Sequence, residues 1–418
     1  MGHAFIVLFA IATVVAIAVS RTRVPYTIAL VVVGLVVGSF GVVETPRLTK
    51  DLLFALFLPG LTFEAAYSLH AHELRRSWRT IAALAVPGVF VATAITALLT
   101  RWIVPHLAIG ETFGWNDALA FAALISATDP IAVVSVFRKL GITPRLTTLV
   151  EAESLFNDGT AIVTLTLVLA FVSGESSSVV GLSSRFVLVV CGGAALGAAV
   201  AGVIALVTRR INDPMIEIGL TTIAAYGSFV VAEDLHLSGV IASVTAGLIL
   251  GSYGRESAFS PDTRIAADSF WRYVAFALNS IVFLLIGFEV HPQLLWQSAS
   301  VVGVSFAAVL IARCVMVAGV TGLLSRTRER IPSRWAALLA WGGLRGALSM
   351  VLALALPGDF HNRSLLVDMT FGAVIASLLV QGLTIQVLTK RLFGGATERE
   401  RTENPAAVTA SAGPTTPV

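Results

Sequence analysis

Ionisable side chains stand inside long apolar stretches at several places in this 418-residue chain, and their types suit taking up a proton or holding a cation. In EAESLFNDGTAIVTLTL, Ser154 and Asp158 lie four residues apart and share a helical face, with Asn157 adjoining them. Glu153 and Asn157 are also four apart, on a face rotated away from Asp158. Desolvation favours the neutral form of a carboxyl, so an unpartnered Asp158 suits a group that binds and releases protons. The competing reading is a buried structural ion pair. In FAALISATDPIAVVSVF, Pro130 has no N–H and disfavours helical geometry at Asp129, which predicts an interruption at Thr128-Asp129-Pro130. Asp129 then caps the second half-helix, a role compatible with a polar site there. In WAALLAWGGLRGALSMVLALAL, Gly342, Gly343 and Gly346 flank Arg345 and predict a second break. In DLLFALFLPGLTFEAAYSL, Pro59 and Gly60 loosen a stretch carrying Glu64 about midway, where it lines the approach to a site or faces a polar seam between helices. Arg313, in a further apolar run, needs an anion, and by elimination Glu153 is the candidate.

These side chains need elements that can carry them. The chain is 56% hydrophobic and 13% charged, against roughly 25% charged in a soluble domain. Runs of about 20 apolar residues recur from end to end, each long enough to cross a bilayer as a helix. About thirteen spans are predicted. They cover approximately 3–20, 24–40, 51–68, 80–100, 114–137, 147–172, 186–207, 215–233, 236–252, 269–290, 297–322, 333–356 and 365–388. Arg21 and Arg23 follow the first run instead of preceding it, so it reads as a retained helix and not a secretory signal. Residues 1–390 form a transmembrane domain on this reading, and 391–418 a short polar tail expected to be disordered. Of the 28 Lys and Arg residues, 20 fall on the side reached after odd-numbered spans and 5 on the other. The positive-inside rule then puts the N-terminus outside and the C-terminus in the cytoplasm of a multi-pass plasma-membrane protein.

A charge at the bilayer centre costs roughly 2.5–3.5 kcal/mol, so each intramembrane ionisable group is a functional hypothesis. Spans five and twelve, the two predicted breaks, are seven apart. Two six-span repeats separated by span seven would give them equivalent positions and opposite orientations, the pattern of a transporter site. The fold expected is an all-α polytopic membrane protein with two inverted six-helix repeats whose broken helices cross. Asp129 and Arg345 would sit at that crossing and offset half-helix dipole charge.

LPGLTFEAAY (58–67), ISATDPIAVV (125–134), EAESLFNDGTAIV (151–163), LNSIVFLLIG (278–287) and WGGLRGALS (341–349) together resemble the monovalent cation:proton antiporter family. That family includes NhaP-type Na+/H+ antiporters and the eukaryotic Na+/H+ exchangers. The likeness runs in order over roughly residues 5–390. It implies that Asp158 binds both cation and proton, and that Thr128 (through its carbonyl) and Ser154 add oxygens around Na+. Asn157 would hold the neighbouring structure, and Glu64 would reach the ion directly or through water. Asp129 and Arg345 match the charges of the broken helices, and Glu153 and Arg313 match positions that stabilise the core. The family's usual assembly is a homodimer with an elevator-like moving core. Related electrogenic antiporters carry two adjacent Asp residues where this chain has Asn157-Asp158, which implies electroneutral exchange of one cation for one proton.

Na+, Li+ and K+ all accept oxygen ligands, so a K+/H+ exchanger of the same mechanism stays open. A cation channel is the alternative class, disfavoured because one central carboxylate replaces a ring of repeated ligands. No metal-ligand spacing or nucleophile–base pair within a span points to an enzyme or a resident cofactor. The two cysteines, Cys191 and Cys314, lie inside apolar runs and argue against a disulfide. A net charge of +3 with its cations in loops reads as membrane topology, not a nucleic-acid surface.

Overall fold

The computed structural model describes residues 2–20, 25–40, 52–107, 112–174, 179–211, 213–289 and 298–403. Among them the regular elements are all helical. They begin with α1 (Gly2–Val19), α2 (Tyr26–Ser39), and α3 (Leu58–Ser68), which a π turn at Leu53–Phe57 precedes. Next come α4 (Ala71–Arg76), α5 (Trp78–Ala85), α6 (Pro87–Ile103), α7 (Trp115–Leu124), α8 (Ile131–Leu140) and α9 (Pro144–Val172). The second half holds α10 (Val179–Thr208), α11 (Pro214–Asp234), α12 (Gly239–Ile249), α13 (Pro261–Glu289) and α14 (Ala299–Leu324). It closes with α15 (Ser333–Trp341), α16 (Ala347–Leu354), α17 (Arg363–Ala376) and α18 (Gly382–Glu403).

Every predicted span is met by a helix or a helix pair, and the breaks follow local chemistry. Span five divides into α7 and α8 around Pro130, and span twelve into α15 and α16 around the Gly342–Gly346 segment. Span four also divides, at Val86 before Pro87, a break the hydropathy alone did not predict. Gly141, at φ +65°, ends α8 in the left-handed conformation that favours glycine. Asp213 caps α11 by accepting from the Met215 and Ile216 N–H groups. The Glu233 side chain accepts from the Gly239 N–H at 2.9 Å, so this acid caps the start of α12.

Among the described residues, seven helical stretches are long and apolar enough to cross a membrane unaided, α9, α13 and α14 among them. With the shorter apolar helices and the two interrupted pairs, they make an integral membrane protein. The helix starting at Gly382 runs to Glu403, past the boundary expected at Lys390. Residues 404–418 of the expected tail, and the loop residues Arg21, Arg23, Arg47 and Lys50, lie outside the described residues.

The helices pack as two bundles. One contains α1, α2, α3 and α10–α13; the other contains α5–α9 and α14–α18. In the first, α2 lies along α13, where the Tyr26 hydroxyl meets Ser280 Oγ at 2.8 Å and the Tyr26 ring stacks on Phe276. Phe63, Tyr67 and Trp271 form an apolar centre of this bundle with alanines of α10, α11 and α12. The second bundle packs α7 and α16 into its interior, and α9 also touches α10, α12 and α3 of the first. Apolar side chains such as Val187, Leu188, Val203 and Leu206 of α10 point outward, as a surface against lipid chains requires.

Candidate functional site

Where α7 ends and α8 begins, residues 126–130 are unwound, and residues 343–346 are unwound between α15 and α16. The two segments cross, and the Asp129 N–H donates to the Leu344 carbonyl at 2.8 Å. The break exposes helix ends, and buried charges meet them. Asp129 Oδ1 accepts from the Ile131 N–H at 3.0 Å, at the positive N-terminal end of α8. Arg345 Nη1 donates to the Ser126 and Ala127 carbonyls at 2.7 and 3.1 Å, at the negative C-terminal end of α7. The Arg345 backbone N–H donates to Ser377 Oγ at 3.0 Å, which ties the crossing to the segment after α17. A Cβ at Gly346 would lie 2.5 Å from Asp129 Oδ2, so this close approach needs glycine.

Helix α9 supplies the remaining groups. Ser154 Oγ donates to the Thr128 carbonyl at 2.5 Å. Asn157 Nδ2 donates to the Ser126 carbonyl at 3.2 Å and to Thr128 Oγ1 at 3.0 Å, holding the unwound segment against α9. Asp158 follows, and its Oδ1 is buried with no hydrogen-bond partner among the described residues. Glu153 faces the other way. Arg313 of α14 meets both its oxygens, Nη1 to Oε1 at 2.7 Å and Nη2 to Oε2 at 2.8 Å, with both side chains buried. The same guanidinium donates to the Leu339 carbonyl, so it braces α9, α14 and α15 behind the crossing. The pairing reached by elimination in the sequence is present in the structure.

A cavity of about 680 Å³ lies between the bundles and reaches Thr128, Asp129, Ser154 and Asp158. Glu64 of α3 lines it from the opposite bundle, accepting from Ser68 Oγ at 3.0 Å. Thus Glu64, Thr128, Asp129, Ser154 and Asp158 share one space, while Glu153 and Arg313 stand behind it. Asn157 and Arg345 hold its wall. Carboxylate, carbonyl and hydroxyl oxygens together form a donor set suited to a hard cation. The cavity also takes in groups that the sequence reading missed: Arg138 and Lys139 of α8, Glu151 of α9 and Arg272 of α13. Glu151 was findable, because it precedes Asp158 by seven residues and so shares its helical face. The cation positions carried no comparable signal.

On the far side of the crossing, Asp117 in the first turn of α7 is buried. It accepts from the Gly114 N–H at 2.7 Å and contacts His361 Nδ1 at 3.1 Å. Asn362 Nδ2 donates to the same carboxylate at 3.2 Å, joining α7 to the turn before α17.

Residues 6–391 match the family described as "Sodium/hydrogen exchanger, transmembrane". The chain is 37% identical over 377 residues to the low-affinity Na(+)/H(+) antiporter NhaS1 of Synechocystis sp., covering 88% of this chain and 70% of that protein. It is 37% identical over 357 residues to the Na(+)/H(+) antiporter NhaP of Pseudomonas aeruginosa, covering 83% and 82%. The Na(+)/H(+) antiporter NhaH of Halobacillus aidingensis is 35% identical, covering 91% of this chain and 94% of that protein. Among solved structures, the sodium proton antiporter MjNhaP1 from Methanocaldococcus jannaschii at pH 8 superposes with a TM-score of 0.72 at 17% identity, over 90% of this chain and 97% of that one. The last likeness is one of fold.

Proposed function

This chain belongs to the sodium/hydrogen exchanger family, and we propose that it exchanges Na+ for H+ across the plasma membrane with Asp158 as the site both ions share. The carrying observation is the buried Asp158 oxygen without a hydrogen-bond partner, beside a cavity that also takes in Thr128 and Ser154. That free oxygen has two ways to be satisfied. It takes a proton, or it takes a cation whose hydration shell the neighbouring oxygens replace.

The cycle follows from that choice. Na+ enters the cavity, meets the Asp158 carboxylate and is held there with oxygens of Thr128 and Ser154, with Glu64 facing them across the gap. The bundle of α5–α9 and α14–α18 then moves against the other, and the site meets the opposite side. Na+ leaves, a proton neutralises Asp158, and the neutral site returns. Because Asn157 adds no second titrating group, one proton moves for one cation and the exchange is electroneutral. Asp129 and Arg345 neutralise the half-helix ends so that the unwound segments can persist in an apolar medium, and the Glu153–Arg313 pair keeps them in register. The charge bias of the loops orients the chain with its N-terminus outside, so the cavity described here faces the cytoplasm. Two copies assemble as a homodimer on this reading.

The test is proton movement in everted vesicles, followed with a pH-sensitive dye on adding Na+, Li+ or K+, with and without a clamped membrane potential. Cation-triggered alkalinisation that vanishes in Asp158→Asn and ignores the potential is expected. Persisting exchange in Asp158→Asn would refute the shared site, and a response to K+ alone would make the chain a K+/H+ exchanger. Cation flux never coupled to protons would make it a channel.

A further inference from the structure

The cavity has a charged rim that the exchange cycle leaves unused. Arg138, Lys139 and Arg272 line it there, against one acid, Glu151. Arg138 reaches across from α8, and its Nη2 lies 2.8 Å from Glu151 Oε1. The Arg138 side chain is 67% exposed, so the rim is the wet end of the cavity. Glu151 is 17% exposed and faces inward. A cation arriving at this rim meets three positive side chains, a field that repels it unless an acid is placed to offset them.

Glu151 has that placement. Residues 151, 154 and 158 recur at helical spacing along α9, so Glu151, Ser154 and Asp158 form one stripe, and all three line the cavity. Two turns of helix put Glu151 about 10 Å above Asp158, seven residues at roughly 1.5 Å each. Glu64 lines the same cavity from α3, close enough to feel the charges of Arg138, Glu151 and Arg272 together. His70, after α3, is the further titratable group whose charge acts on Glu151.

Resting on the exchange reading above, we infer that Glu151 is the residue that admits the cation: it offsets the basic rim and first receives Na+, in competition with Arg138, before the ion descends past Glu64 to Asp158. The Arg138–Glu151 bridge is then exchangeable. Its geometry suits this, because the Arg138 half of the pair is open to water and the guanidinium can swing into solvent when a cation takes its place. Glu151 is thus a specificity-determining group for access and not part of the proton-coupled step. It should act on the concentration of Na+ needed and not on the speed of the cycle.

The experiment measures Na+-dependent proton movement in everted vesicles, whose outer face is the cytoplasmic one, for wild type, Glu151→Gln, Glu151→Asp and Arg138→Gln. Glu151→Gln is expected to raise the apparent KM for Na+ about two- to fifteenfold at low ionic strength, the range for one charge at ~10 Å between water-like and protein-like screening. Its kcat should stay near wild type, and added choline chloride should shrink the difference. Arg138→Gln should lower KM, and Glu151→Asp should stay close to wild type. If Glu151→Gln does not reach the membrane, Arg138→Gln and Glu151→Asp still carry the test. A fall in kcat with KM unmoved, or a KM that rises in Arg138→Gln as well, means that the pair is only a structural bridge and overturns the inference. So does an equal KM shift for Na+ presented from the opposite face in right-side-out vesicles. A wild type inert to every cation would overturn the exchange reading itself, whereas an active wild type with unmoved KM values overturns this inference alone.

Discussion

Glu153 and Arg313 carry opposite charges in a place where neither is stable alone. Removing one partner of a buried pair leaves an uncompensated charge, so Glu153→Gln is expected to destabilise the protein by about 3–5 kcal/mol, read as a lower Tm in detergent. Replacing both residues together (Glu153→Gln with Arg313→Met) should recover part of that loss; a single variant that melts like wild type would show that Arg313 is held by Leu339 alone. Asp158 faces a different test. A proton and a cation on one carboxylate exclude each other, so activity should rise as pH climbs and the site empties of protons. More Na+ displaces protons sooner, and the midpoint of that rise should move to lower pH as Na+ increases. A midpoint indifferent to Na+ across a hundredfold range would argue for two separate sites.

The interrupted helices work as elements because each charge answers the other segment's loose end. Arg345 serves the carbonyls that Pro130 leaves unpaired at the end of α7, and the Asp129 N–H serves Leu344 across the crossing. Close approach is the condition for this exchange of partners. Gly346→Val would drive a branched side chain into Asp129, whose Cβ lies 2.6 Å from the position of a Cβ at Gly346. Loss of exchange and a Tm lowered by several degrees are expected, with Gly346→Ala milder in both. Normal exchange in Gly346→Val would mean that the crossing is looser in the working protein than its contacts imply.

Across the whole molecule, α9 is where the two bundles touch beside the site. A Cβ at Gly159, next to Asp158, would lie 2.4 Å from Ile241 Cδ1 and 2.9 Å from its Cγ1 on α12. That proximity suits a disulfide, whose Cβ atoms stand roughly 3.5–4.5 Å apart. In a background with Cys191→Ser and Cys314→Ser, both exposed sites, the Gly159→Cys/Ile241→Cys protein should lose exchange on oxidation and regain it on reduction. Exchange that continues through the cross-link would exclude sliding of one bundle past the other at this contact.

Much of this architecture was legible in the chain itself, and the reason is the cost of polar groups in an apolar medium. Runs of apolar residues had to become spanning helices, Pro130 and the Gly342–Gly346 segment had to interrupt two of them, and each buried charge had to be placed for a purpose. Hence Asp129, Asp158, Glu153, Arg313 and Arg345 stood out without any structure. Local pattern is weaker at ends and borders, so the break before Pro87 and the run of the last helix to Glu403 were not read from it. Tertiary structure alone decided which groups meet across long stretches of chain. It made a rim of Arg138, Lys139, Arg272 and Glu151 from three helices, and it set Asp117 of α7 against His361 and Asn362. Hydropathy and spacing say what each residue costs to bury; only packing says which partner repays that cost.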